Sequence, residues 1–368
     1  MPPILGVTAA WGLLLAYLAT GASVAGGALY YVVLLAHQFL HWEPTAVPVL
    51  ALACAAAGFV AYRDVKLSAE LMLWIEVISI GLIVIVLALM LARFGLHFDS
   101  DQLQLRGVSL SALGPALVLS MFSFVGFESA TTLGGEAGEP LRTIPRAVIQ
   151  CAVLAGVFFM LCSYSEVLGF RGELSKLSES TSPLHLLANK AGASPLGIAI
   201  DFGALISMVA CVLACTTAAA RVLMKMARSA LVPPLFAKTS RRYRTPASAI
   251  VLSAGLMFVG TATMAVRGVN GSDMYDLFGS LSVFGFLTAY GLVAIALPFA
   301  RRAVGQHSRL IAAMSVLSVV VIILIAAFDL HSTGDVVHAR IPYIYLAYIG
   351  AGLVWYLARR PHTAIPAN

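Results

Sequence analysis

A glutamate lies in the middle of an apolar stretch of the sequence, next to a glycine. The segment from Ser111 to Gln150 reads SALGPALVLSMFSFVGFESATTLGGEAGEPLRTIPRAVIQ, and Glu128 follows Gly126 and Phe127 directly. A carboxylate at the centre of a membrane span costs about 2.5–3.5 kcal/mol on insertion scales, so it should face a polar cavity or a partner. It could bind an amine, take up a proton, or cap the backbone amides of a broken helix.

The glycine in this segment predicts where the helix breaks. Glycine lowers helix stability by about 1 kcal/mol relative to alanine, and the ends of a broken helix need a polar cavity within lipid. Half-helix ends near the bilayer midplane hold charged substrates in many secondary transporters. We therefore expect a substrate site near Gly126. Phe122 and Phe127 flank the break, and they are either ordinary packed aromatics or a lid over the substrate.

A second carboxylate, Glu76, lies in another apolar run. It is either part of a proton relay or polar network, or a buried acid with a structural partner. The histidines and cysteines form no HExxH motif and no His–Cys cluster, and the chain has no Walker-type phosphate loop. Each of those motifs would place specific ligands around a metal or a phosphate. We therefore expect no metal site, no cofactor, no catalytic residue and no ATP-driven transport by this chain.

Composition indicates the elements that position these side chains. Apolar residues make up 60% of the 368 residues and charged residues 11%, whereas a soluble domain carries charge on about a quarter of its positions. The chain is therefore predicted to be an all-α polytopic membrane protein. The net charge of +6 lies in short blocks between apolar runs, which favours a role in membrane topology over nucleic-acid binding.

Ten apolar stretches are long enough to cross a bilayer as helices, which need about 20 residues each. If the N-terminus and the even-numbered loops are cytoplasmic, the inner side carries sixteen Lys and Arg residues and the outer side seven. This bias predicts a multi-pass protein of the cell membrane with both termini cytoplasmic. The ten predicted spans are 10–36, 45–62, 70–92, 111–134, 146–170, 196–220, 246–266, 274–299, 309–328 and 341–358.

Two stretches resemble the amino acid–polyamine–organocation permeases. The stretch from Phe124 to Ala147 (FVGFESATTLGGEAGEPLRTIPRA) resembles the signature of the sixth helix of that family. The stretch from Thr217 to Pro246 (TAAARVLMKMARSALVPPLFAKTSRRYRTP) resembles its eighth helix and the following loop. The resemblance implies two inverted five-helix repeats and two peripheral helices, with substrate held at broken helices. The substrate-facing residues that it implies here are Phe122, Ser123, Gly126, Phe127, Glu128 and, on the third family helix, Tyr17.

The resemblance also implies a division of the single domain, 1–368. Residues 1–95 would be the remnant of the first repeat, 111–300 the second repeat with its break near 126, and 309–358 the peripheral helices. Only three spans precede the broken one, where the family has five. We therefore expect the first two family helices to be missing from this sequence and these 368 residues alone not to transport. Glu76 stands where some proton-coupled relatives place a lysine, so the coupling role of that lysine does not transfer.

The implied function is secondary active transport of amino acids or related amines by alternating access, coupled to protons or to exchange. Glu76 and Glu128 are the candidates for proton coupling, and the expected partners are a small-molecule substrate and the lipid bilayer. An alternative stays open because of the missing helices: a non-transporting remnant or a regulatory membrane protein. An enzyme would need a polar cluster at one membrane face, and the sequence shows none.

Overall fold

The computed structural model describes residues 3–63, 65–94, 102, 110–133, 138–171, 173, 175, 177, 180, 182–303, 305, 308–332 and 338–359. In these residues the chain forms eleven α-helices, three short 3₁₀ helices and no strand. The 3₁₀ helices are Phe127–Leu133, Pro234–Ala237 and His338–Arg340. The α-helices are α1 (Pro3–Leu40), α2 (Ala46–Arg63), α3 (Val65–Phe94), α4 (Leu110–Phe124), α5 (Pro140–Gly169), α6 (Pro183–Lys190), α7 (Ser194–Arg228), α8 (Ala247–Val266), α9 (Gly271–Ala303), α10 (Arg309–Ser332) and α11 (Ile341–Ala358).

Nine helices in the described part of the chain are long and apolar enough to cross a membrane. The remaining predicted span, 111–134, is divided in two. Helix α4 ends at Phe124, a turn covers Val125 and Gly126, and a 3₁₀ helix begins at Phe127. Gly126 has a φ of +110°, a conformation open to glycine and costly for other residues. The all-α polytopic membrane class is confirmed, and the fourth span is interrupted where the glycine predicted a break.

Helix α1 lies at the centre of the molecule. It contains no Asp, Glu, Lys or Arg residue, and most residues between Ala16 and Leu29 are buried. A helix that is apolar on all sides is buried by its neighbours. Helices α9 and α7 pack against α1 more extensively than the other described helices do. Side chains of α1 therefore face the middle of the bundle.

Helices α1 and α9 approach each other through paired glycines. A Cβ atom placed on Gly285 would lie 2.5 Å from the carbonyl oxygen of Gly12, and one placed on Gly271 would lie 2.6 Å from that of Gly26. Small residues at such contacts let two membrane helices pack backbone to backbone. The two pairs run in opposite directions along the chain, so α1 and α9 are antiparallel.

The C-terminal helix α11 packs on the outside of this pair. The Tyr345 hydroxyl donates a hydrogen bond to Thr288 Oγ1 on α9 at 2.5 Å. The Tyr348 hydroxyl donates to the carbonyl oxygen of Trp11 on α1 at 3.3 Å. A Cβ atom on Gly352 would lie 2.9 Å from the Trp11 ring, so the indole packs directly on the α11 backbone. Helix α11 thus joins α1 and α9 by side-chain contacts.

Two local features differ from the predicted spans. A short helix, α6, lies within the predicted outer loop 171–195. Helix α7 continues to Arg228, beyond the predicted end at 220, because the side chains of Leu223 and Met226 are buried in the main core. The first part of the basic segment 221–244 is therefore an extension of a spanning helix.

Candidate functional site

The carboxylate of Glu128 accepts three hydrogen bonds from described residues at the helix break. The Tyr17 hydroxyl on α1 donates to Oε1 at 2.9 Å, and the Tyr290 hydroxyl on α9 donates to Oε2 at 2.5 Å. The backbone N–H of Gly126 also donates to Oε2, at 3.1 Å. Because a buried polar group costs free energy unless it is paired, these contacts explain how the membrane-embedded break tolerates the acid. One carboxylate therefore joins the break to two other helices.

Four aromatic rings lie beside this carboxylate. The ring of Tyr17 contacts that of Phe286 with centroids 5.5 Å apart and an edge-to-face angle of 87°. Phe286 in turn contacts Tyr290 at 5.8 Å, and Tyr290 contacts Phe127 at 5.4 Å. We call Tyr17, Phe127, Glu128, Phe286 and Tyr290 the Glu128 cluster. It combines a negative charge with several ring faces, and both features attract cations.

Both ends of the broken helix contribute to the electrostatics of the site. The C-terminus of α4 points its last carbonyl groups toward the break, and such a helix end carries partial negative charge. On the other side, Glu128 lies in the first turn of the 3₁₀ helix and accepts the Gly126 amide. The carboxylate thus offsets the positive end of the 3₁₀ helix.

Phe122 and Ser123 lie outside the Glu128 cluster. The Phe122 ring contacts the Tyr275 ring at 5.5 Å, and its edge lies 3.2 Å from the position of a Cβ atom on Gly279. Ser123 is exposed, and its hydroxyl donates to the Leu119 carbonyl oxygen of its own helix at 2.9 Å. The structure therefore brings Tyr17, Gly126, Phe127 and Glu128 together and places Phe122 and Ser123 to the side.

Glu76 lies between α3 and α7, at the wall of a largely apolar cavity. Its carboxylate accepts a hydrogen bond from the Ser207 hydroxyl. A cavity of about 960 Å³ is lined by Glu76, Glu166 and Asp201, among other residues. Asp201 is 2% exposed and lies 2.6 Å from Nδ1 of His185. No group of three or more metal-ligating side chains is present among the residues that the structure describes.

Sequence reasoning missed two members of the Glu128 cluster, Tyr290 and Phe286. Tyr290 lies inside the eighth predicted span, in the run LTAYGLV. A tyrosine in mid-membrane needs a hydrogen-bond partner for its hydroxyl, so this residue carried a usable signal. Phe286 carried no such signal, because a phenylalanine in an apolar helix needs no special partner.

Comparison with characterised and uncharacterised proteins gives three informative relatives. The chain is 26% identical over 293 residues to an uncharacterised transporter of Mycobacterium tuberculosis (strain ATCC 25618 / H37Rv), covering 78% of this chain and 62% of that protein. It is 24% identical over 189 residues to a branched-chain amino acid permease of Bacillus subtilis, covering 51% and 38%. It is 30% identical over 175 residues to a low-affinity putrescine importer of Escherichia coli, covering 45% and 36%.

These matches extend along much of the chain. The chain spans less than two thirds of the length of the mycobacterial relative. The model of the amino acid permease family matches residues 2–360, which is nearly all of the 368 residues. The match includes α1, α4, the 3₁₀ helix Phe127–Leu133 and α9, which carry or flank the Glu128 cluster. On this basis, the chain belongs to the amino acid permease family.

Proposed function

We propose that this protein transports amino acids or related amines across the cell membrane, and that it binds the ammonium group of its substrate at the Glu128 cluster. One observation carries the proposal: an interrupted membrane helix holds a carboxylate between two tyrosine hydroxyls and four aromatic rings. Half-helix ends with a fixed charge are typical of substrate sites in secondary transporters. The family match supports the same activity.

The chemistry of the cluster favours an ammonium group. A carboxylate has about four acceptor positions, and three donors occupy Glu128. Among the residues that the structure describes, these three donors leave one position for a substrate N–H. The rings of Phe127 and Tyr290 add attraction for a cation, about 0.5–2 kcal/mol for each favourable ring contact. The site therefore suits a protonated amine better than a neutral or anionic solute.

The names of the relatives are consistent with this substrate class. One relative is named a branched-chain amino acid permease, another a cationic amino acid transporter of Arabidopsis thaliana, and another a putrescine importer. The substrates in those names differ in size and net charge, but all contain an ammonium group at neutral pH. We therefore propose that Glu128 binds the ammonium group that these solutes share. Other residues would distinguish the side chains of the substrates.

We further propose that transport proceeds by alternating access and is coupled to protons or to exchange. Glu76 is the candidate proton carrier outside the Glu128 cluster, because it is a carboxylate at a cavity wall whose partner among the described residues is the Ser207 hydroxyl. Glu128 is held in place by three described hydrogen-bond donors and lies beside aromatic rings. We therefore assign amine binding to Glu128. This division gives each acid a separate test.

Replacement of Glu128 by Gln tests the transport proposal. The missing family helices led to the expectation that these 368 residues alone do not transport, whereas the contacts of Glu128 with α1 and α9 lead us to propose the opposite. Membrane vesicles from cells that produce the chain should then accumulate labelled amino acid or putrescine, and the Glu128→Gln variant should lose at least about tenfold in uptake, the equivalent of about 1.4 kcal/mol. The amide keeps the size of the side chain but removes the charge that attracts an ammonium group. Insertion, measured as the amount of protein in the membrane fraction, should not change.

Glu139→Gln is the matched control, because Glu139 is exposed and its contact with Arg142 is a 4.0 Å surface pair. That variant should transport like the unaltered chain. Unchanged uptake kinetics in Glu128→Gln would return Glu128 to a structural role as an anionic cap. Absence of substrate-dependent uptake by the unaltered chain would favour the alternative of a non-transporting membrane protein.

A further inference from the structure

Two cysteine thiols lie side by side on α7, and the proposed transport site uses neither. Cys211 and Cys215 are four residues apart in one helix, so their side chains are neighbours on the same face. Cys215 is buried and Cys211 is half-buried. Cys215 is therefore the more enclosed of the two thiols.

The pair lies between the two candidate acids. Cys215 lies in the same buried core as Tyr17 and Phe286 of the Glu128 cluster. Ser207, which donates to Glu76, stands one helical turn before Cys211. One face of α7 thus runs from the cavity at Glu76, past both thiols, to the Glu128 cluster.

A third sulfur atom lies next to the pair. A Cβ atom on Gly21 of α1 would lie 3.2 Å from Cβ of Cys215 and 2.5 Å from the sulfur of Met257. The side chains of Cys215 and Met257 therefore both contact α1 at Gly21. The Met257 sulfur also accepts a hydrogen bond from the Thr216 hydroxyl at 3.5 Å. Sulfur-rich surroundings of this kind favour soft, thiophilic ligands over hard cations.

We propose that Cys211 and Cys215 form a dithiol site that chelates trivalent arsenicals. With phenylarsine oxide, both S–H bonds and the arsenic–oxygen bond break, and two arsenic–sulfur bonds form. The oxygen leaves as water with the two thiol protons, and arsenic stays trivalent, so the step needs no oxidant or reductant. The helix already holds the two thiols together, which lowers the entropy cost of closing the chelate ring.

The other three cysteines provide internal controls. Cys54 lies on α2 and is buried. Cys151 and Cys162 both lie on α5, and their separation of eleven positions corresponds to about 16 Å along a helix axis. One arsenic atom cannot bridge that distance. Cys151 and Cys162 therefore cannot chelate one arsenical with each other.

The test uses the purified full chain in detergent and counts bound arsenic by intact-mass measurement. The protein is treated with phenylarsine oxide and then washed with excess 2-mercaptoethanol, which strips adducts held by one thiol. We expect one arsenical per chain to survive, two thiols to be protected from N-ethylmaleimide, and release by the dithiol 2,3-dimercaptopropanol. A variant with Cys54, Cys151 and Cys162 replaced by Ala should retain the arsenical equally well.

The single variants Cys211→Ala and Cys215→Ala should each lose the retained arsenical. Thermal unfolding midpoints within a few degrees of the parent would show that the loss is chemical. Retention by either single variant would overturn the proposal, as would loss of the arsenical from the triple variant that keeps the pair. The readout is mass rather than uptake, so failure of this site and failure of the transport proposal are separate results.

Discussion

At the scale of single residues, the two acids that the sequence singled out have different surroundings. Glu128 accepts hydrogen bonds from two tyrosines and a backbone amide, whereas Glu76 accepts one from Ser207 and lines a cavity. Loss of a partner from a buried acceptor costs about 1–3 kcal/mol. Substitutions around Glu128 therefore affect both structure and binding. Among the described residues, a substitution at Glu76 leaves only the Ser207 hydroxyl without its partner. Its effect on transport is therefore easier to separate from an effect on stability.

Replacement of Glu76 by Gln separates proton coupling from substrate binding. In membrane vesicles with an imposed proton gradient, we expect Glu76→Gln to lose gradient-driven accumulation, because an amide cannot carry the proton. Exchange of internal for external substrate should persist at a similar rate. Ser207→Ala keeps the acid while removing its partner, so this control should still accumulate substrate. Gradient-driven accumulation by Glu76→Gln would assign Glu76 a structural role.

At the scale of helices, the crossing of α1 and α9 creates the site. Tyr17 lies on α1 between the two glycine contacts, and Tyr290 lies on α9 beyond the contact of Gly285 with Gly12. Contact between the two backbones brings both hydroxyls within reach of one carboxylate. Larger residues at the glycine contacts would separate the helices and move the two tyrosines apart.

Substitution of Gly285 by Ala tests this crossing. The added Cβ atom would lie 2.5 Å from the Gly12 carbonyl oxygen and 2.9 Å from the Ala16 Cβ atom. Backbone atoms cannot move aside as a flexible side chain can, so we expect destabilisation by about 1–3 kcal/mol. The measurement is the midpoint of thermal unfolding in detergent.

Gly255→Ala is the matched control for that substitution. Gly255 lies within α8, and a Cβ atom there meets no heavy atom within 4 Å. Alanine is the better helix former by about 1 kcal/mol, so this variant should be as stable as the parent or slightly more stable. If Gly285→Ala unfolds at the same temperature as Gly255→Ala, the glycine crossing does not set the helix spacing.

At the scale of the whole molecule, the segments sort to two ends of the bundle. At one end, the Thr245 hydroxyl donates to the carbonyl oxygen of Tyr62 at 2.8 Å, and the Trp355 indole donates to that of Leu231 at 2.9 Å. These contacts join segments that the charge bias assigns to the cytoplasm. The other end brings predicted outer segments together, as where His338 lies 2.9 Å from Asp276. The folded chain is therefore compatible with the predicted alternation of loops.

Cysteine labelling tests which end faces the cytoplasm. In a background without the five native cysteines, Thr239→Cys should react with an impermeant maleimide only after the cells are opened. Asn189→Cys should react in intact cells. Both positions are exposed in the structure, so access depends on sidedness rather than burial. Efficient labelling of Thr239→Cys from outside would reverse the orientation that the sixteen-to-seven charge bias predicts.

The sequence by itself determined the class of the protein, the approximate positions of its spans and the place of the helix break. These features depend on local properties. Long apolar runs need a lipid environment, and Gly126 weakens the helix at its own position. The cost of a membrane-embedded carboxylate likewise marked Glu128 as a residue that needs partners.

Only the tertiary structure decided which partners that carboxylate has. Tyr17 and Tyr290 lie 111 and 162 positions from Glu128 along the chain, so no local pattern relates the three. Their contact depends on how closely α1 and α9 cross, which the paired glycines control. Ser123 and Phe122 both lie on the broken helix, but neither joins the Glu128 cluster. Ser123 is exposed, and Phe122 packs on α9. Side-chain direction around a helix is set by its packing neighbours, and these come from distant parts of the sequence.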